Sequence, residues 1–254
     1  MGWFKRFRQQ YSLFIVVSIV CLLVWQWLVQ SEKIPSFIIP TPTSIVQMMI
    51  HYPHELFVVH LGATFREVLI GFLFALVGGI GIAIAMYFSK PMEKVMYPLV
   101  LISQTIPIIA LSPIFILWFG YGLWSKVAVT ILVCFFPIVL NFYDGLKQVD
   151  REYIDLLKTM GASKWQCFIK VEIPFALPYI FSGMKLAVVF AVVGATIGEW
   201  LGASEGLGYY SRRMSGNLNA EGVFAAVTIL SLLGMVLFII VRLVERKILS
   251  WNKK

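Results

Sequence analysis

The chain has 254 residues, 59% of them hydrophobic and only 13% charged, with a mean hydropathy of +0.85. A soluble domain is nearer half apolar and a quarter charged, so a soluble enzyme or binding module is excluded and an integral membrane protein is indicated. The formal net charge of +8 invites a nucleic-acid reading, but the basic residues are spread as topology signals, and no nucleic-acid partner is expected.

Apolar runs near or above the roughly 20 residues needed to cross a bilayer predict six transmembrane helices, over 11–29, 60–88, 96–119, 124–142, 180–201 and 223–244. The first follows Lys5, Arg6 and Arg8 as a signal peptide would. Its length, and the absence of small cleavage-site residues in Val29-Gln30-Ser31-Glu32, read it as a retained span. With the N-terminus inside, alternation leaves Lys33, Lys126, Arg212 and Arg213 outside. Lys5, Arg6, Arg8, Lys90, Lys94, Lys147, Arg151, Lys158, Lys164, Lys170, Arg246, Lys247, Lys253 and Lys254 then lie inside. That asymmetry predicts cytoplasmic N- and C-termini in a bacterial-type inner membrane.

After the first span, Pro35, Pro40 and Pro42 predict an extended external segment, then a short amphipathic piece capped by Thr43 or Ser44. The chain divides accordingly into residues 1–59, the first helix with its Pro-rich segment, and a core over 60–254. In the second span Gly71, Ala75, Gly78 and Gly79 form a small-residue stripe, for packing within the subunit or for a dimer seam. In the third, Gln104, Pro107, Ala110, Ser112 and Pro113 mark either a kinked packing helix or a broken helix lining a pathway.

Ionisable residues within spans are costly and usually face a partner or water. Arg66 and Glu199 are expected either to approach one another at an external gate or to reach the interface separately. Lys185 reads as an interfacial anchor. His51, His54 and His60, with Glu55, read as surface or interfacial residues rather than a metal site. Cys21, Cys134 and Cys167 match no disulfide framework or metal spacing. The Gly-rich stretch 202–213 is a candidate for binding-protein contact or a simple connector. No nucleophile constellation, H-E-x-x-H pattern or G-x-x-x-x-G-K-[ST] loop occurs, so neither a catalytic site nor a cofactor is expected on this chain.

The longest polar stretch, the loop 144–179, carries the mechanism. Asp150 can cap a helix in which Tyr153, Leu156, Leu157 and Met160 fall on one apolar stripe. Glu152, Asp155 and Lys158 follow the helix dipole. Gly161 suits the left-handed position that ends a helix, and Ser163 can cap another turn before Pro174. So short a helix is marginal alone. Its stripe needs either this chain's own helix ends or a groove in another protein.

This loop resembles the coupling loop of ABC importer permeases, whose pattern is E-A-A, three residues, Gly, nine residues, Ile-x-Leu-Pro. Asp155-Leu156-Leu157 takes the E-A-A place, Gly161 (followed by Ala162) the Gly, and Val171-Glu172-Ile173-Pro174 the end. Leu156-Leu157 departs from the paired alanines. The runs Ile106-Pro107-Ile108-Ile109-Ala110-Leu111-Ser112-Pro113 and Gly198-Glu199-Trp200-Leu201-Gly202 resemble the nitrate/sulfonate/taurine group. The resemblance implies an all-α integral membrane fold of type I, with a five-helix core plus one N-terminal helix. It also implies a homodimeric permease, a cytoplasmic ABC ATPase dimer carrying ATP and Mg, and an external solute-binding protein. The solute is expected to be a sulfonate, taurine, nitrate or a vitamin-precursor pyrimidine, with a slight lean to the last. The competing expectation is an ion-gradient-driven secondary transporter.

Overall fold

The computed structural model describes residues 2–31 and 33–250, and their side chains apart from residues 2–11 and 151. Glu32, Lys253 and Lys254 lie outside the described residues, as do the side chains of Lys5, Arg6, Arg8 and Arg151. Every regular element among the described residues is helical. Helix α1 spans Gly2–Gln30, α2 Pro42–His51, α3 Leu61–Phe88, α4 Lys90–Ser103, α5 Ile108–Phe119 and α6 Leu123–Lys147. Then come α7 (Arg151–Thr159), α8 (Lys164–Cys167), α9 (Ile173–Gly202), α10 (Leu207–Gly216) and α11 (Ala220–Ile248). Single π-helical turns, His54–His60 and Phe168–Glu172, lead into α3 and α9.

Five helical stretches are long and apolar enough to cross a membrane, and a sixth span arises if α4 and α5 count as one. These two meet at 105°, so of the two expectations for the span over 96–119, kinked or broken, the structure has the broken one. Gln104 and Thr105 close the end of α4 with 3.2 and 2.9 Å bonds to the carbonyls of Leu101 and Ile102. Pro107 then disfavours helix at Ile106 and, lacking an N–H, starts α5. Pro113 stays inside α5.

Helix α6 is the axis of the bundle, with α3 parallel to it on one side and α9 antiparallel on the other. The contacts are close because glycines make them. A Cβ on Gly71 or Gly79 of α3 would lie 2.5 Å from Thr130 or 2.8 Å from Ile138. On α9, a Cβ at Gly183, Gly194 or Gly198 would lie 2.7 Å from the Pro137 carbonyl, 2.9 Å from Thr130 Cα or 2.9 Å from Lys126 Cα. Along α3, Gly71, Ala75 and Gly79 are thus absorbed by packing within the chain, whereas Gly78 is exposed. Without a hydrophobic driving force between helices in lipid, such backbone proximity is what holds them together.

From Ser12 to Gln30, helix α1 is largely exposed. Its last turn is tied down: Gln26 donates to Thr43 Oγ1 at 3.0 Å, and Trp25 lies 6.1 Å from the Phe224 ring. The cap of α2 is Thr41, whose hydroxyl accepts from the Ser44 N–H at 3.1 Å. This is earlier than the sequence reading placed it, because Pro42 serves as a first-turn residue. Lys185, expected as an interfacial anchor, has a partner within the chain. It pairs with Glu245 at 2.8 Å, joining α9 to α11.

Gly183→Ala pushes a methyl against a backbone carbonyl that cannot swing away. It should destabilise the purified protein by about 1–3 kcal/mol, read as a lowered midpoint of thermal unfolding in detergent. Gly78→Ala, whose nearest atom lies 4.0 Å off, should leave the midpoint unchanged.

Candidate functional site

The bundle has two specialised ends. At one, α7 and α8 bridge α6 to α9. Asp150 caps α7 by accepting from the Glu152 N–H at 3.1 Å. The far end is a double hydrogen-bonded stop: Ala162 N–H bonds the Leu157 carbonyl at 3.0 Å and Gly161 N–H the Lys158 carbonyl at 2.9 Å, a Schellman closure. It requires the positive φ of +83° at Gly161. Ser163 and Gln166 then form a reciprocal capping box over α8. Lys158 pairs with Asp155 at 3.2 Å, with both side chains exposed.

The expected stripe divides on the surface. Tyr153, Leu156 and Met160 are 54%, 59% and 76% exposed, while Leu157 is half-buried. An aromatic cluster of Phe88, Trp165 and Phe168, with ring centroids 4.8–5.8 Å apart, anchors α8 to the end of α3. The Tyr179 hydroxyl donates to Gln148 Oε1, fastening α9 to the start of the loop. Ile173 and Pro174 open α9. Beside α7 lies a cleft of about 430 Å³ whose lining includes Ile154, Asp155, Lys158 and Glu172.

At the opposite end, the chain after α9 folds back as α10, so 202–213 is not a simple connector. The first N–H groups of this helix point into the protein, and three side chains from other elements satisfy them. His60 Nδ1 accepts from Gly206 at 3.1 Å, Thr64 Oγ1 from Leu207 at 2.9 Å, and Glu199 Oε2 from Gly208 at 2.5 Å. The Thr64 hydroxyl in turn donates to Glu199 Oε1 at 2.6 Å. Glu199 is wholly buried. A Cβ at Gly206 would fall 2.3 Å from its carboxyl carbon, and one at Gly208 would fall 2.7 Å from Oε2. Only glycine fits at either place.

Alongside Glu199 lies Glu67, whose Oε1 is 3.5 Å from Lys126 Nζ. These two side chains are only 3% and 7% exposed. Glu67 Oε2 has no hydrogen-bond partner. On the outer rim, Arg213 pairs with Glu55 at 2.7 Å.

Of the two expectations for Arg66 and Glu199, their approach to one another is not observed. Arg66 is exposed, and the buried cation of this end is Lys126. Of the two neighbours Arg66 and Glu67 on α3, the basic one faces outward and the acidic one inward. His60 is likewise not a surface residue, being 3% exposed. No group of three or more His, Cys, Asp or Glu side chains among the described residues could hold a metal. Sequence reasoning missed the roles of Thr64, Glu67 and Lys126. The available signal was a pair of opposite charges, Glu67 and Lys126, each near the start of an apolar run.

Of the residues named along the broken span, Gln104, Pro107, Ala110 and Pro113 are exposed on this single chain. Ser112 turns the other way, and its buried hydroxyl has no partner.

Residues 75–250 match the family described as binding-protein-dependent transport system inner membrane component. The chain belongs to this family. It is the permease component of an ABC importer, in which ATP hydrolysis resides on a separate subunit. The formylaminopyrimidine transport permease protein of Halalkalibacterium halodurans is 46% identical over 93% of this chain and 94% of its own length. The riboflavin transport system permease protein of Chloroflexus aurantiacus is 33% identical over 95% of this chain and 91% of its own. A structure of the inward-facing MetNI methionine ABC transporter covers 77% of this chain and 98% of the matched chain. Its TM-score is 0.68 at 20% identity, which establishes the type I importer permease fold.

In this permease, Glu67→Gln should be tolerated. The amide oxygen can still accept from Lys126, and the NH₂ supplies a donor beside Glu199. Glu67→Ala leaves a buried ammonium without its counter-ion and should cost about 3–5 kcal/mol. Thermal melts and membrane expression of the two variants should separate widely.

Proposed function

We propose that two copies of this chain form the membrane unit of the importer, with the α7 end and both termini in the cytoplasm. Each α7 seats in a groove of a separate ATPase subunit, which holds ATP and Mg, while the solute-binding protein delivers at the α10 end. The carrying observation is the apolar face that Tyr153, Leu156 and Met160 leave exposed on a nine-residue helix. A helix that short is marginal by itself. Its caps make it a rigid projection, and an apolar face held out on a rigid projection suits a helix-in-groove contact. Asp155 forms the rim of that contact. Gly161, Ala162, Ile173 and Pro174 set the angle at which the chain re-enters α9. Closure of the ATPase pair then displaces α7, and α6 and α9 tilt with it as packed bodies.

We infer further that the α4–α5 break, with exposed Gln104, Pro107, Ala110 and Pro113, faces the second copy and lines the translocation path. Glu199 acts from within the wall, holding α10. As solute we propose a pyrimidine of the vitamin-precursor type. The reading is supported by 46% identity across 93% of the chain to a permease named for a formylaminopyrimidine.

Vesicles reconstituted with the neighbouring ATPase and binding protein should take up labelled formylaminopyrimidine, need ATP, and ignore ionophores. Collapse of uptake by an ionophore would instead establish an ion-driven carrier. Preference for taurine would sink the solute assignment alone. Gly161→Val places a β-branched residue at φ +83°, a penalty of more than about 1–2 kcal/mol. Uptake should fall at least tenfold (about 1.4 kcal/mol or more,) with insertion intact. Met160→Glu should release the ATPase during co-purification, and undiminished recovery of the complex would refute the docking role of α7.

A further inference from the structure

A second cleft, of about 400 Å³, opens at the α7 end of the bundle between α4 and α6. Lys90 and Lys94, one turn apart on α4, and Lys147 at the end of α6 bring three ammonium groups to it. Two carboxylates share the space. Glu93 is bound to Lys147 at 2.5 Å, and Asp144 is exposed. Lys90 and Lys94 are exposed and make no ion pair or hydrogen bond among the described residues. The cleft thus carries an excess of positive charge on side chains with nothing to hold.

The second observation is Tyr143. It is 2% exposed, it lines this cleft, and its hydroxyl, set beside Glu93 and Lys147, makes no well-formed hydrogen bond with either. The Lys147 ammonium sits 4.7 Å above its ring, and the Tyr97 ring packs 5.9 Å away. A buried hydroxyl is normally paired, and one held so loosely beside Glu93 can turn to an acceptor from outside the chain. Val95, Leu99 and Ile102 on α4 are 57%, 53% and 54% exposed, an apolar surface next to the charged notch. A phosphate with hydrocarbon attached matches both parts at once, and basic notches between helix ends are where lipid headgroups bind.

We propose that this cleft binds a phosphate group, supplied by an anionic phospholipid at the membrane surface. Lys90 and Lys94 donate to its oxygens, together with the Tyr143 hydroxyl. The inference needs only that this end of the bundle lies at a bilayer surface. It therefore stands apart from the ATPase-docking and solute readings, and its test involves neither.

The full chain, delipidated in mild detergent, is examined by native mass spectrometry with added phosphatidylglycerol, phosphatidylcholine or inorganic phosphate. Wild type should retain a phosphatidylglycerol adduct that survives collisional activation, absent with phosphatidylcholine and absent in the Lys90→Gln/Lys94→Gln variant. A control variant at the same end, Arg246→Gln/Lys247→Gln, should keep it. Tyr143→Phe removes a hydroxyl that makes no well-formed hydrogen bond within the chain, so it should fold normally and bind phosphatidylglycerol about tenfold more weakly. Retention of inorganic phosphate alone, lost in the same variants, keeps the phosphate site and makes its source a free anion. Adducts of equal number and affinity in wild type and in both cleft variants would overturn the proposal.

Discussion

Close backbone contact along α6 is the constraint from which the rest of the architecture follows. Lipid offers helices no hydrophobic reward for meeting, so approach must be near enough for dispersion between backbones to hold them. Thr130 is touched from both sides, by Gly71 of α3 and by Gly194 of α9. At the α7 end the same seam continues where a Cβ on Gly145 of α6 would lie 2.6 Å from Tyr179 of α9. A seam with so little slack cannot absorb a displacement locally. In the coupling role proposed for α7, which connects α6 to α9, force entering there would be carried to Lys126 and Glu199 at the other end of those helices.

What it meets there is a problem of backbone hydrogen bonding solved with charge. A helix N-terminus buried away from water leaves N–H groups that must find acceptors. For α10 these are His60, Thr64 and Glu199, and a carboxylate is favourable at that pole of the helix dipole. Burying the carboxylate is itself costly, and Lys126, engaged with Glu67, supplies positive charge nearby. The acceptors come from the π-helical turn before α3, the start of α3 and the end of α9, so α10 is bound to α3 and α9, and Lys126 of α6 joins the cluster through Glu67. Gly206 and Gly208 are the sequence trace of this arrangement, since each leaves the space that the Glu199 carboxyl fills.

How legible this was in the sequence depends on whether the signal is local. The α7 loop was legible because cap, periodic stripe and terminal glycine all act within a dozen residues. Asp150, Gly161 and Ser163 do what their chemistry prescribes. The spans were legible from hydropathy alone. The α10 dock was not, because its partners lie as far apart in sequence as Thr64 and Glu199, and hydropathy cannot say which way a residue points. Arg66 and Glu67 are adjacent, and nothing local in the sequence says that the acid rather than the base turns towards Glu199. The break in the third span fell between these cases: Pro107 marked its position, but the 105° turn depends on α5 packing against α6 and α9.

The departure at Leu156-Leu157 from the small residues of the coupling-loop pattern has a structural explanation in the two directions these side chains take. Leu157 is half-buried against its own chain, so its bulk fills internal space and leaves the docking contour unaffected. Leu156 is 59% exposed, and alanine there would present a flatter surface. Burying a leucine fully contributes about 1.5–3 kcal/mol, so a partner groove shaped to receive Leu156 gains affinity that a groove shaped for alanine cannot match. A groove fitted to alanine would clash with it. In the docking role proposed for α7, Leu156 would act in both directions, favouring a matching ATPase and opposing others, which is how a specific pairing is built from one side chain.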